Sequence, residues 1–352
     1  MELTPTDSQE VLANALAAIQ DERFGSDFYT YESVSGGTQA AVWHGAPRSA
    51  AQPAVALRLT PKPLELIQRI AAVVDGIRAV ECPRTLGTGS VEVDGRSLTV
   101  QVCTWIGSPR AGTLDMYQLG SCLADLHAEM LTSGSDFSDR RLNFERAELP
   151  AAGDSDQELP PWYVAGHIWR QRIMAWLHMQ AQVLPAQPVH GDMHWANIVP
   201  TGGGFGFIDF DKVMWAPPVF DLAKLIATGF FDVGARVRFR EQRVTRLLEG
   251  YTARRSLTGQ EAVALEGLAL LLNEETARIG MVYGVDSYSE QAAAVAGWWI
   301  ARRKRRGTNP LGIRGLLDPA PAAPATGRQL PLWPDHESGL HGMAGERRCA
   351  RS

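Results

Sequence analysis

The sequence predicts an α+β fold, a β-rich amino-terminal part followed by a mostly helical part. Two observations predict it. About five short strand patterns and one helix crowd residues 30–105. Helical periodicity dominates after Gly107. No internal repeat runs through the chain.

The elements follow in order. PTDSQEVLANALAAIQ at 5–20 predicts a helix, with Thr6 and Gln9 spaced as a capping box and an apolar stripe of Val11, Leu12, Leu16 and Ile19. YESVSGGTQAAVWHG at 31–45 predicts strand, glycine turn, strand. PAVALRLTP at 53–61 is a third strand, and PLELIQRIAAVV at 63–74 a helix with Pro63 near its first turn. SVEVDGRSLTVQVCTW at 90–105 predicts two strands joined by an Asp-Gly turn. Helices are expected at 114–131, 162–184, 236–255, 260–279 and 287–304. From Gly307 onward, 46 residues carry six of the 21 prolines and no apolar period, which predicts a flexible tail.

Composition bounds the function. Length, 352 residues, suggests two domains at about 150 residues each. A hydrophobic fraction of 45% with 21% charged residues is that of a globular chain with a real core. No run approaches the roughly 18 apolar residues of a membrane span. The first residues have neither the basic nor the apolar region of a secretory signal. Net charge is −5, which gives no general attraction to nucleic acid. The basic run Arg302, Arg303, Lys304, Arg305 and Arg306 ends an expected helix, where cations suit the dipole, and lacks interleaved aromatic residues. Cys82, Cys103, Cys122 and Cys349 fit no zinc spacing and read as reduced thiols, so a cytoplasmic location is expected.

The chemistry concentrates at 188–225, PVHGDMHWANIVPTGGGFGFIDFDKVMWAPPVFDLAKL. A short apolar segment ends at Asp192. Asn197 follows five residues later, and a glycine turn (Gly202, Gly203, Gly204) leads to a second apolar strand ending at Asp209. Such a hairpin can converge Asp192, Asn197 and Asp209 on one side. Their oxygens suit Mg²⁺, a hard cation commonly held by one or two carboxylates together with substrate phosphates. Phosphoryl transfer needs this set: one carboxylate to orient and deprotonate a hydroxyl, and oxygen ligands for the metal. Asp192 is the expected base, with Asn197 and Asp209 the expected metal ligands.

HGDxxxxN at His190, Gly191, Asp192 and Asn197, then IDxD at Ile208, Asp209 and Asp211, then DLA at Asp221, Leu222 and Ala223, resembles the signature of the aminoglycoside phosphotransferase family. That family is related to choline kinases and more distantly to protein kinases. The resemblance covers roughly 30–300. It implies a bilobal protein-kinase-like fold, with an N-terminal helix at 1–28 and a nucleotide-binding N-lobe at 29–105 made of a small antiparallel sheet with one helix. A larger, mainly helical C-lobe at 106–306 and the tail at 307–352 complete it. It implies transfer of the γ-phosphate of ATP or GTP, with Mg²⁺, to a hydroxyl of a small molecule. Antibiotic resistance leads, with an aminoglycoside or another hydroxylated natural product, such as a nucleoside antibiotic, as acceptor. A metabolic kinase of choline, homoserine or a sugar, and a nucleotide-binding module without turnover, are the alternatives.

The resemblance also assigns nucleotide contacts. Gly36, Gly37 and Thr38 occupy the loop that covers the nucleotide, where backbone amides can approach phosphate. Arg58 stands where protein kinases carry lysine, and Glu65, early in the next helix, is its expected ion-pair partner. The Cys103 carbonyl and the Trp105 amide are expected to face the adenine edge. Asp211 is either a further metal carboxylate or an exposed turn residue. Asp221 and His190 read as braces of the catalytic loop, and His194 as a loop-packing residue. Trp162, Trp169 and Trp176 share one helix face, either a core stripe or an aromatic wall for the acceptor. Glu274 and Glu275, like Trp298 and Trp299, fit acceptor recognition or ordinary helix surface. No partner beyond nucleotide and acceptor is expected, neither nucleic acid nor membrane.

Overall fold

The structure is a computed structural model and describes residues 5–34, 40–107, 115–142, 184–232 and 238–282, with the single positions Ala175 and Val295. Apart from Ala175, Leu184 and Val295, the expected helices at 162–184 and 287–304, with their tryptophans, the basic run at 302–306 and the tail at 307–352 lie outside the described residues. So do Gly36, Gly37, Thr38 and the side chains of Glu274 and Glu275.

The chain divides into two compact units. One comprises Met1–Arg141, Gln187–Ala216 and Arg246–Ser256. The other comprises Leu142–Ala186, Pro217–Thr245 and Leu257–Ser352.

The first unit opens with α1 (Pro5–Ile19) and a five-stranded antiparallel sheet. Its strands are β1 (Tyr29–Val34), β2 (Ala41–Pro47), β3 (Val55–Thr60), β4 (Thr85–Val93) and β5 (Arg96–Thr104), in the order β1-β2-β3-β5-β4. The β4–β5 turn is Asp94-Gly95, with φ of 50° and 69° at its two positions. Positive φ at both is the backbone that matches the twist of a tight hairpin. β4 begins at Thr85, earlier than its alternation suggested, with a register irregularity between Thr85 and Gly87.

Strand alternation gives β3 two faces. Val55, Leu57 and Leu59 turn to a core that includes Leu98, Val100 and Val102 of β5 and Val11, Ala15 and Ile19 of α1. Ala56, Arg58 and Thr60 turn to the opposite face. The α1 stripe is thus part of the sheet's own core. The approach is close: a methyl on Gly89 would lie 2.3 Å from the Ala18 carbonyl oxygen. Helix α2 (Leu64–Val74) buries Ile67, Ile70, Ala71, Val73 and Val74 and packs on β4 and β5.

The remainder of this unit supports the motif loop. Helix α3 (Met116–Thr132) is capped by Asp115, whose carboxylate accepts from the Tyr117 and Gln118 amides. Two short antiparallel pairs follow. β6 (Gln187–Val189) pairs with β9 (Met214–Ala216), and β7 (Ile198–Thr201) with β8 (Gly204–Phe207).

In the second unit, α4 (Val219–Gly229) packs on α6 (Gly259–Val282). Leu222, Leu225 and Ile226 are buried on one, and Ala264, Leu265 and Leu268 on the other. A two-residue hairpin, β10 (Phe231–Asp232) with β11 (Arg238–Phe239), interrupts the expected helix at 236–255. That helix, α5, begins only at Glu241 and ends at Thr252, and from Arg246 onward it belongs to the first unit. Among the described residues no helix is long and apolar enough to cross a membrane.

Candidate active site

The motif loop is shaped by a glycine. Gly191 has φ +80°, and a methyl there would lie 2.1 Å from the Lys212 carbonyl oxygen. Only glycine tolerates both the left-handed backbone and the contact. On either side of it, His190 ties two strands together. Its Nε2 lies 2.9 Å from the Ile208 carbonyl, and its Nδ1 accepts from the Asp192 amide at 3.2 Å. That pattern requires a neutral ring with its proton on Nε2. The ring is wholly buried and lies against Phe210, centroids 4.6 Å apart. The bracing role read for His190 is therefore a set of specific bonds.

Asn197 closes the one-turn 3-10 helix Trp195–Asn197. Its Nδ2 donates to the Asp192 carbonyl at 2.9 Å and lies 3.2 Å from His194 Nε2. With Nδ2 so engaged, Oδ1 is the atom Asn197 can offer a cation. The Ile208 amide donates to the Asn197 carbonyl at 3.0 Å, so the β7–β8 hairpin sets Ile208, the residue before Asp209, opposite Asn197. Asp209 itself is in the left-handed region, φ 62° and ψ 60°, a conformation aspartate reaches more readily than most residues. Two hard oxygen donors at this end of the hairpin are of the kind that suits a small divalent cation whose other positions go to phosphate and water. Among the described residues no three His, Cys, Asp or Glu side chains form a metal cluster.

Asp192 is nearly buried and is held by the Lys212 ammonium, with an imidazole nearby. Lys212 Nζ donates to its Oδ2 at 2.8 Å, and His194 Nε2 lies 3.7 Å away. Arg58 stands on the open face of β3, opposite Val42 on β2 and Gln101 on β5. Its Nη2 meets Asp209 Oδ1 at 3.0 Å and its Nη1 meets Asp211 Oδ1 at 3.1 Å. Burial disfavours the Arg58 charge, but Asp211 and then Asp209 outweigh it and raise its pKa above the ordinary value. Glu65 is not its partner. It is exposed in the first turn of α2, and among the described residues it makes no ion pair. The carboxylates of the 209–211 turn meet the guanidinium instead. Asp211 is buried, not an exposed turn residue.

Two cations absent from the sequence reading join this turn. Lys62 Nζ donates to the Asp211 carbonyl at 2.6 Å and lies 3.6 Å from Asp211 Oδ2. Arg140 Nη2 reaches the same carbonyl at 3.2 Å. Burial lowers the Lys62 pKa, against the pull of Asp211. Lys62 and Lys212 adjoin predicted features in the sequence and carried that much signal. Arg140 carried none.

The expected purine contacts fare differently. Cys103 is an interior ladder residue opposite Ala56 and Thr85, its buried thiol 3.8 Å from the Ala56 carbonyl. The Trp105 amide donates to the Ala54 carbonyl at 2.9 Å, so it is committed to the sheet and does not face a purine edge. Register, which side-chain identities do not reveal, decides this. A cavity of about 360 Å³ opens beside the end of β5, lined by Arg78, Glu81, Arg84, Thr104, Trp105 and Thr201 among others. Neither Arg58 nor Asp192 is among its lining residues. Asp221 is fully buried in the first turn of α4, where a carboxylate favours the helix dipole.

Comparison with known proteins decides the family. The profile of the phosphotransferase enzyme family, APH, matches residues 30–257, more than half of the chain. The chain belongs to the phosphotransferase enzyme family. This phosphotransferase is accordingly an enzyme of phosphoryl transfer to an alcohol group. Solved structures share its kinase-like fold at low identity. The amicoumacin kinase hAmiN, in complex with AMP-PNP, Ca²⁺ and Ami, is 13% identical with a TM-score of 0.59, covering 82% of the phosphotransferase and 93% of its own chain. A choline/ethanolamine kinase family protein from Mesorhizobium loti is 16% identical with a TM-score of 0.58, covering 86% and 97%. A thermostable mutant of the aminoglycoside phosphotransferase APH(4)-Ia, with AMP-PNP and hygromycin B, is 13% identical with a TM-score of 0.56, covering 81% and 97%. No curated protein sequence matches the phosphotransferase.

Proposed function

We propose that this phosphotransferase moves the γ-phosphate of ATP or GTP, with Mg²⁺, to a hydroxyl of a small antibiotic in the cytoplasm and so gives resistance. The acceptor is an aminoglycoside or another hydroxylated natural product, such as a nucleoside antibiotic. One observation carries the reading: Asp192, Asn197, Asp209 and Arg58 are gathered by the motif loop, the β7–β8 hairpin and β3 within one unit.

Each residue then has a distinct part. Asp192 orients the acceptor hydroxyl and takes its proton as the oxygen bonds to the γ-phosphorus. The bond from that phosphorus to the β-phosphate bridging oxygen breaks, and the nucleoside diphosphate leaves with the electron pair. Arg58 grips phosphate oxygens with a planar fork. Asn197 and Asp209 would hold Mg²⁺, which when bound supplies positive charge to the phosphates. The backbone amides at Gly36, Gly37 and Thr38 are proposed to close over the phosphates.

Antibiotic kinases among the solved relatives, two of them bound to AMP-PNP, support the antibiotic reading. The similar likeness to a choline/ethanolamine kinase family protein supports a metabolic acceptor as the second reading. Coupled turnover of ATP and GTP with Mg²⁺ against a panel of antibiotics, choline, homoserine and sugars tests both. Phosphate added to an antibiotic, seen by mass spectrometry, is the expected result. Phosphate added to choline, homoserine or a sugar instead would move the enzyme to metabolism. Asp192→Ala should lower kcat by about 10²- to 10⁴-fold, and full turnover in that variant would remove Asp192 from its role.

A further inference from the structure

We propose that Asp211, in place of a carboxylate on α2, is the positioning residue for Arg58. The inference rests on the reading of Arg58 as a nucleotide-phosphate contact. An arginine can grip phosphate well only if its long side chain is held before the ligand arrives, because ordering it on binding subtracts from affinity. Arg58 has two carboxylates in reach, each taking one end of the fork. They are not equivalent. Asp209 is 45% exposed and is the residue with a second demand on it, from the cation. Asp211 has a side-chain exposure of 8% and is fixed on its far side. Lys62 Nζ lies 3.6 Å from its Oδ2, and its carbonyl accepts from both Lys62 and Arg140. When Asp209 turns to a cation, the Asp211 contact is the one Arg58 keeps. Glu65, exposed on α2, has no part in holding it.

The test is ADP and GDP affinity by calorimetry, in EDTA and again in Mg²⁺, on the full chain. Asp211→Asn should weaken the preferred nucleotide about ten-fold in both conditions, the worth of a charge-assisted hydrogen bond. In an Arg58→Met background it should weaken it no further. Glu65→Gln should stay within about two-fold of the parent. A loss on Asp211→Asn that appears only with Mg²⁺ would make Asp211 a metal ligand and overturn the proposal. A ten-fold loss in Glu65→Gln would overturn it as well. Circular dichroism checks the fold of each variant, and if Asp211→Asn does not fold the Glu65 arm decides. An unsubstituted chain that binds neither nucleotide would remove the reading of Arg58 itself, a failure separate from any difference between variants.

Discussion

A methyl at Gly191 would have to share space with the Lys212 carbonyl oxygen at 2.1 Å while the backbone held φ at +80°. Left-handed strain alone is of order 1–3 kcal/mol, and the contact adds to it because its partner is backbone and cannot rotate away. Gly191→Ala should therefore lower unfolding free energy by about 2–4 kcal/mol in a urea titration. It should also lower activity, since Asp192 is the next residue. Much of this site was legible in the sequence, and locality is the reason. Asp192, Asn197 and Asp209 lie within 18 residues, and a hairpin brings them together. The Arg58–Asp211 pair, 153 residues apart, was not legible, because nothing in either neighbourhood names the other. The Trp105 amide was misread for a related reason: its direction depends on how β5 registers on β3.

Helix α3 and the carboxyl-terminal turns of α5 meet backbone to backbone. A methyl on Gly120 would lie 1.9 Å from the Leu247 carbonyl oxygen, and one on Gly250 would lie 1.9 Å from that of Tyr117. Around the contact, Ser121 Oγ donates to the Gly250 carbonyl at 3.1 Å and His127 Nδ1 lies 2.8 Å from the Tyr251 hydroxyl. Two effects compete on substitution by alanine. Helix propensity favours it by about 1 kcal/mol. Overpacking opposes it by about 1–3 kcal/mol, and more where the obstacle is backbone. The second wins at this distance. Gly120→Ala and Gly250→Ala should each lower the urea midpoint, whereas Gly259→Ala, with open space around it, should leave it nearly unchanged. The α1 and α2 stripes and the Asp-Gly hairpin turn were readable as local patterns. The β10–β11 hairpin was not, because two-residue strands carry no period.

For the whole molecule, buried thiols set a limit at alkaline pH. Burial pushes Cys82 up to about 12 and Cys103 up to about 11, from an ordinary 9.0. Below pH 9 folded and unfolded chains both keep these protons, and the stability is fully present. Between about 9 and 12 the unfolded thiols ionise first, so stability falls as pH rises. Lys62 works in the opposite sense, since burial lowers its pKa in the fold. The melting temperature should therefore drop from pH 8 to about 10.5, and Cys82→Ala should remove part of that drop. Iodoacetamide at pH 8 should leave Cys82 and Cys103 unmodified in the native chain, as peptide mapping would report.

The partnership of α1 with the sheet has a consequence for synthesis on the ribosome. Val11, Ala15 and Ile19 emerge well before the strands that cover them, which end at Thr104, roughly 85 residues later. At about 5–20 residues per second the nascent stripe waits on the order of 4–17 s for its cover. During that interval α1 presents an apolar face not yet met by β3 and β5. Translation speed across residues 20–104, and a chaperone's grip on α1, should then govern how much of the chain folds rather than aggregates.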